Sequence, residues 1–318
     1  MRLIRRTRSD PGGLAQGCVA TIGTFDGVHL GHQRILGHVA DVARQRDLPS
    51  LVFSFEPTPR EFFSRTSPPA RLTRFREKFE ALDDLGINWL FCPPFDAAME
   101  AMQADDFIQQ LLVGILRVRH LVVGDDFRFA HKRQGTVDTL QQAGTRLGFG
   151  LEQVGSVMTD GMRVSSTAIR DCLAAGDMDG ARQLLGRYYR MTGRVVGGKQ
   201  LGKRLGYPTA NVNLHRKACP VNGIFAVRVS GLGDAPLDGV ASVGTRPTVE
   251  GVEPLLEVHI FEFDRDIYGE YISVDFVARL RDEIRFPNLD RLCEQMDQDA
   301  DQARRLLLSL PAKGDSSS

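Results

Sequence analysis

The chain has 318 residues, 42% of them hydrophobic and 25% charged, and its 40 basic and 40 acidic side chains give a formal net charge of zero. That length accommodates two separate cores, and that composition is the one of a soluble globular protein rather than a disordered or fibrous one. The even charge balance argues against nucleic acid as the main partner, which a basic surface would favour, but leaves room for anionic small molecules that need only local positive charge.

Cys18, Cys92, Cys172, Cys219 and Cys293 are odd in number and scattered, with no CxxC pair. The expectation is free thiols in a reducing cytoplasm, without a zinc site or disulfide framework. Arg2, Arg5, Arg6 and Arg8 are followed by no apolar stretch, so the start does not read as a signal peptide. No apolar run approaches the roughly 20 residues of a membrane span, so no membrane is expected as a partner. The composition accommodates a monomer or an oligomer.

In the first half, strand-like runs alternate with helix-like ones. The runs at 18–22, 50–55, 88–92, 120–123 and 151–154 read as strands. Between them, Leu36, Val39 and Ala43, then Phe75, Phe79, Leu82 and Leu85, then Phe107, Leu111 and Leu112 recur at helical spacing. Such alternation predicts a parallel sheet covered on both faces, with ligands at the carboxyl ends of its strands. The first strand runs into TIGTFDGVHLGH, Thr21 to His32. Gly23, Gly27 and Gly31 let the backbone approach an anion closely. The amides of a helix starting near His29 carry partial positive charge, and His29 and His32, three apart, share one side of its first turn. They can donate hydrogen bonds to phosphate oxygens as charge builds during transfer.

The second strand leads into Phe53-Ser-Phe-Glu-Pro-Thr-Pro59, a rigid exit with aromatics able to flank a ring system. The fourth ends in Val123-Gly-Asp-Asp-Phe-Arg-Phe129, followed by His131, Lys132 and Arg133. Ser165-Ser-Thr-Ala-Ile-Arg170 places N-capping hydroxyls of Ser165, Ser166 and Thr167 beside the forked donors of Arg170, a grouping that suits phosphate. Residues 171–187 read as two short helices with a turn at Gly176-Asp177, closing a first domain at residue 186.

After Arg187 the period changes. Strands are predicted at 192–196, 224–229, 239–243, 256–263 and 272–280, with no helix between them, which points to a small closed barrel. A last helix is predicted over 289–308, with Asn288 as N-cap and Leu292, Met296, Ala303 and Leu307 inward. This second domain spans 187–310, and the tail, 311–318, is expected to be disordered. Gly193 to Gly206 is a basic, Gly-rich loop that can wrap phosphates, with Lys199, Lys203 and Arg204 as side-chain donors. It lacks Walker A spacing. Thr209 and Asn211, two apart in Tyr207-Pro-Thr-Ala-Asn211, share a face in extended chain and offer hard oxygens to Mg²⁺. Glu257 is an acidic group within an apolar strand, either on an exposed edge or catalytic.

TFDGVHLGH with its HxGH core resembles the N-terminal motif of bacterial bifunctional riboflavin kinase/FAD synthetases, members of the nucleotidyltransferase superfamily. SSTAIR resembles the second signature of that branch, and GKRLGYPTAN resembles the riboflavin kinase signature GxxLGxPTAN. The segments 239–248 and 284–286 also look like that kinase, and the resemblance covers roughly 15–305. It implies an α/β fold: a Rossmann-like nucleotidyltransferase domain followed by a small β-barrel kinase domain with a terminal helix. It implies ATP-dependent phosphorylation of riboflavin to FMN in the C-terminal domain and adenylylation of FMN to FAD in the N-terminal one, with Mg²⁺.

By resemblance, His29, His32 and Arg170 act in adenylyl transfer and Glu257 is the kinase base. Gly23, Phe25, Asp26, Gly31, Ser165, Ser166 and Thr167 hold nucleotide, and Asp126 and Phe127 seat flavin or adenine with Arg128 close by. Gly202, Lys203, Gly206 and Pro208 belong to the kinase phosphate loop, and Thr209 and Asn211 hold the metal. Two positions depart from the family pattern: Thr58 stands where His is common in FxPHP, and Ala130 where Gly is usual after RF. HxGH alone also permits a transferase for another phosphate acceptor, which would have no use for the PTAN half. A flavin-binding regulatory protein with degraded catalysis is the alternative of a different class.

Overall fold

In the computed structural model, which describes residues 1–5, 12–64, 68–198, 202, 206–248 and 251–310, the apolar runs of the first half assemble into one six-stranded sheet. Its strands are β1(Arg2–Ile4), β2(Cys18–Ile22), β3(Ser50–Phe53), β4(Trp89–Phe91), β5(Val118–Gly124) and β6(Gly150–Val154). They lie in the order β1-β4-β3-β2-β5-β6, every neighbouring pair parallel. Alternate residues serve opposite faces, as the two-residue period of a strand requires. Val19, Val52 and Val122 pack with Leu36, Val39 and Leu82 on one side. Ala20, Phe53 and Leu121 pack with Phe107, Leu111 and Leu112 on the other.

The helices α1(Leu30–Gln45) and α2(Phe75–Asp84) supply the first layer. The run Phe107–Ile115, expected to be α-helical, is π-wound instead, with Leu116 N bonding Leu111 O at 2.9 Å. Its wider turn still buries Phe107, Ile108, Leu111 and Leu112 together. Helix α3(Val137–Leu147) completes that second layer through Leu140 and Ala143. A two-residue hairpin, β7(Met158–Thr159) and β8(Met162–Arg163), precedes α4(Ser166–Ala175) and α5(Met178–Leu185). Asp177 caps α5 through Gly180 N, and Gly186 ends it in the left-handed conformation.

The remaining strands are β9(Tyr189–Val196), β10(Ala210–Asn213), β11(Gly223–Ser230), β12(Leu237–Thr248), β13(Gly251–Ile260) and β14(Tyr271–Arg281). They form a closed antiparallel barrel in the order β10-β13-β12-β11-β14-β9. Val195, Val212, Phe225, Ala241, Leu256, Val258 and Phe276 fill it and are almost fully buried. The last helix, α6(Leu289–Leu308), has the bounds the sequence predicts, and Asn288 accepts from Arg291 N at 2.9 Å as its N-cap. Ala300, Ala303 and Leu307 pack on Ala226, Phe261 and Val277, whereas Leu292 and Met296 are only half-buried. Arg281 fastens α6 by a bidentate pair with Asp299, at 2.9 and 2.6 Å, and Arg228 donates to the carbonyls of Leu307 and Leu310. By density of contacts the chain divides into one unit of Met1–Pro69 with Thr73–Ser166 and another of Ala70–Leu72 with the chain from Thr167 onward.

After β5, Phe129 and Gly135 exchange backbone hydrogen bonds of 3.1 and 3.0 Å, and a Cβ on Gly135 would overlap the Phe129 ring. Between them Ala130 takes φ 62°, ψ −172°, a region essentially reserved for glycine. Such strain costs about 1–3 kcal/mol, against about 0.4–1 kcal/mol lost through the freer unfolded chain of a glycine variant. Ala130→Gly should therefore raise stability by about 1 kcal/mol, read as a higher urea midpoint at unchanged slope; a lowered midpoint would refute it.

Candidate active sites

The first candidate site forms where β2 ends. Phe25, Gly27 and Val28 all adopt positive φ, coiling the chain back before α1. The turn is fixed from the side: Asp26 Oδ1 accepts from Thr73 N at 2.9 Å, and Gly27 N donates to Thr73 Oγ1 at 3.0 Å. Ser166 Oγ donates to the Asp26 carbonyl at 2.9 Å. His29 is the N-cap of α1, its Nδ1 accepting from His32 N at 3.3 Å. The two imidazoles stack at 3.6 Å with 15° between planes, and Phe25 lies 5.0 Å from His32. A Cβ on Gly31 would stand 3.2 Å from the His29 ring, so glycine there makes room for the stack.

Burial, with the nearby charges of His29 and Lys78, holds the His32 imidazole well below its ordinary value of 6.5. It is thus a neutral hydrogen-bond donor in the free protein. Its Nδ1 is buried with no hydrogen-bond partner among the described residues. Lys78 was not singled out from sequence. It is buried, and its Nζ donates to Thr24 O at 3.2 Å and Ser54 Oγ at 3.0 Å. Its signal is a lysine inside the apolar stripe of Phe75, Phe79 and Leu82 on α2.

Of the other predicted residues of this half, Ser166 is tied to the turn through the Asp26 carbonyl. Asp126 and Arg128, just beyond β5, are exposed, and Phe127 stacks on Phe129 at 5.8 Å. Asp126 pairs with Arg163 at 2.7 Å, while Asp125 accepts from Ser156 N and Oγ, which lowers its carboxyl below the ordinary value. Thr58 caps the short helix Pro59–Phe63 in a reciprocal box with Glu61. Ser165 directly precedes α4, Ser166 opens it and Thr167 follows, exposed. Arg170 Nε donates to the Ala70 carbonyl at 2.6 Å.

The second candidate site lies on the outer face of the barrel. Asn211 on β10 stands opposite Glu257 on β13, which in turn stands opposite Ser242 on β12. Glu257 is therefore in the middle of a closed sheet, not on an exposed edge. It is half-buried, and burial followed by the charge of Glu283 raises its carboxyl above the usual 4.5. Glycines bring the preceding segment onto this row. A Cβ on Gly198 would overlap the Asn211 carboxamide, and one on Gly202 would overlap the Tyr207 carbonyl and approach Thr209 Oγ1 at 3.3 Å. Gly206 takes φ +85°. Lys199, Lys203 and Arg204 lie outside the described residues, as do Arg6, Arg8 and the tail 311–318.

Two family models match in tandem: FAD synthetase over residues 13–168 and riboflavin kinase over 185–307. The bifunctional riboflavin kinase/FMN adenylyltransferase of Escherichia coli K12 is 45% identical over 98% of this chain and 100% of its own length. This chain belongs to that family. The same-named protein of Haemophilus influenzae is 45% identical over 91% of this chain and 94% of its own, and that of Pseudomonas fluorescens 44% over 92% and 93%. A solved structure described as a macrolide-efflux protein from Streptococcus pneumoniae shares the fold, with TM-score 0.81, 28% identity, and coverage of 95% of this chain and 98% of that one. Among the described residues no helix is long and apolar enough to cross a membrane. The chain is a bifunctional enzyme of flavin cofactor biosynthesis, with an N-terminal FMN adenylyltransferase domain and a C-terminal riboflavin kinase domain, and nucleotide is its substrate.

A folded-state imidazole below its unfolded value binds fewer protons in the native state, so its contribution to stability is present above about pH 6.5 and is lost as pH falls. Between pH 7.5 and 5.5, stability should decline with a component of up to about 1.4 kcal/mol per pH unit from His32. Its ring resonances should titrate below 6.5, and Lys78→Met should move that titration upward. An unshifted His32 titration in the Lys78 variant would contradict the electrostatic coupling.

Proposed function

We propose that the His29/His32 turn carries adenylyl transfer within residues 1–186, and that the Thr209–Asn211–Glu257 row carries riboflavin phosphorylation within residues 187–310. The single observation that carries the reading is the pairing of each signature with its chemistry: two stacked imidazoles at a helix N-terminus, that of His32 kept neutral by burial, in one half, and a carboxylate of raised pKa beside hard oxygens in the other.

In adenylyl transfer, a phosphate oxygen of FMN attacks the α-phosphorus of ATP. A P–O–P bond forms, the bond to the β-phosphate breaks, and pyrophosphate leaves. The nucleophile is already anionic, so no base is required. What lowers the barrier is donors aimed where charge grows. His29 and His32, the first amides of α1, and Arg170 with Ser165, Ser166 and Thr167 supply them. Gly23, Phe25, Asp26 and Gly31 shape the turn, with Lys78 as a buried cation behind it. Asp126, Phe127 and Arg128 receive the flavin or adenine.

In the kinase step the ribityl 5′-hydroxyl attacks the γ-phosphorus of ATP: its O–P bond forms, the bond from the γ-phosphorus to the bridging oxygen breaks, ADP leaves, and Glu257 accepts the hydroxyl proton. Its raised pKa makes it a stronger base than an ordinary carboxylate. Gly202, Lys203, Gly206 and Pro208 frame the triphosphate. Among the described residues no cluster of three His, Cys, Asp or Glu side chains is arranged to hold a metal. The neutral oxygens of Thr209 and Asn211 fit Mg²⁺, which takes few protein ligands and completes its shell from phosphates and water. When bound, the ion would neutralise charge on the ATP phosphates. We also place the enzyme in the cytoplasm, without nucleic-acid or membrane partners, a reading that the even charge balance supports.

Two variants test the division of labour, with products separated by chromatography. Glu257→Ala should abolish FMN formation from riboflavin and leave FAD formation from supplied FMN; His32→Ala should do the reverse. Loss of both activities in a folded single variant would end this reading. The base must be ionised to act, so FMN formation should fall as pH drops through a value above 4.5. Glu283→Gln removes the like charge and should shift that acid limb of kcat/KM downward, with FAD formation as the unaffected control.

A further inference from the structure

The segment that leads into Thr209 is anchored at three points. Tyr207 N donates to Gly202 O at 2.8 Å, and the Tyr207 hydroxyl bonds Asp297 on α6. The third anchor is His259, whose Nδ1 lies 2.9 Å from the Pro208 carbonyl. A carbonyl oxygen can only accept, so Nδ1 carries the hydrogen. The Tyr207 ring meets His259 edge-on at 5.1 Å, and Phe261 does so from the other side at 5.8 Å.

His259 and Glu257 are two residues apart on β13, so they share the outer face of the barrel, while Leu256 and Val258 point into it. The β10–β13 ladder ends at the pair Ala210 and Val258. Pro208 has no N–H with which to prolong it. The imidazole supplies a bond at the place where backbone pairing stops. It holds the peptide that precedes Thr209 against the strand that carries Glu257.

We propose that His259 is a positioning residue of the kinase site: its Nδ1–H fixes Pro208, and so the Thr209–Asn211 oxygens, relative to Glu257. This rests on the assignment of those three residues above. His259 touches neither substrate in this scheme and takes no part in proton transfer.

The test uses the full-length enzyme with two readouts. One is the affinity for ADP with and without Mg²⁺, by calorimetry. The other is the kcat and KM for MgATP in FMN formation. His259→Phe keeps a ring for Tyr207 and Phe261 but removes the donor. It should shrink the Mg²⁺-dependent gain in ADP affinity and raise the KM for MgATP, each by about three- to tenfold, the range of one hydrogen bond. His259→Asn, which returns a donor close to the Nδ1 position, should recover most of both, whereas His259→Gln, with its donor one bond further out, should not. The far-UV circular dichroism spectrum and thermal midpoint report that each variant is folded, and FAD formation from supplied FMN is the control for the other domain.

Unchanged ADP affinity and KM in His259→Phe would overturn the proposal, as would equal loss in the Phe and Asn variants, which would point to ring shape alone. Should the Phe variant fail to fold, the contrast between Asn and Gln still decides. If Glu257→Gln retained FMN formation, the base assignment would fall, while the calorimetric arm would still judge His259.

Discussion

A nucleoside triphosphate brings several negative charges to a protein whose own formal charge is zero. Positive potential must therefore be concentrated locally, and this requirement governs both halves. In the parallel-sheet half, on the reading proposed above, it would be met by the turn before α1 rather than by a patch of cations. Backbone amides at the start of α1 point outward because Phe25, Gly27 and Val28 coil the chain into the left-handed region. Thr73 then locks that turn by accepting from Gly27 and donating to Asp26. In the proposed scheme His32 adds a donor without adding charge, since burial keeps it neutral. A neutral donor adds no second buried cation to Lys78, and in the proposed reaction its hydrogen bond would strengthen as the phosphates gain charge in the transition state.

The barrel half solves a different problem. A hydroxyl nucleophile needs its proton removed, so a carboxylate has to sit close to anionic phosphate, where it is repelled. In the proposed kinase site that compromise falls to Glu257. Its place in the middle of a closed sheet removes it partly from water, and Glu283 adds repulsion, so the carboxyl is more basic than usual. As proposed ligands, Thr209 and Asn211 would contribute neutral oxygens rather than further carboxylates, which would keep negative charge at the site from accumulating. Gly198 and Gly202 allow the Gly-rich segment to lie directly on this row because any side chain would displace Asn211 or Tyr207.

What the sequence revealed, and what it hid, follows from the range of the interactions. The parallel sheet, the barrel and α6 were legible because burial imposes a period on the chain, and the cap Asn288 marks its own helix. The histidine turn and the PTAN segment stood out in the sequence as candidates because their motifs are local. Strand β10 was read as an extended pair of ligands, since Ala-Asn-Val-Asn holds little apolar signal, and it pairs only because β9 and β13 flank it. The π-wound Phe107–Ile115 has the apolar spacing of an ordinary helix, and winding is decided by packing. Lys78 and His259 act across long sequence separations. Lys78 reaches Ser54, 24 residues away, and His259 reaches Pro208, 51 residues away. No spacing rule exposes such partners.

The two departures from the family pattern show how local chemistry decides what a fold tolerates. Thr58 replaces a common histidine but occupies an N-cap, where its hydroxyl accepts from Glu61 N and Glu61 accepts from Thr58 N in return. Threonine is a preferred residue for that task, so the short helix after Pro57 keeps its start whatever the histidine does in relatives. Ala130 has no such compensation of its own. A glycine would take φ 62° freely, whereas alanine is forced there by its neighbours. Phe129 and Gly135 close the loop around it with two backbone bonds, and His131 N bonds Met102 O at 2.9 Å just beyond. The strain persists because these contacts over-determine the loop that places Phe127 and Arg128, so the position of the loop, rather than the identity of residue 130, is what the structure preserves.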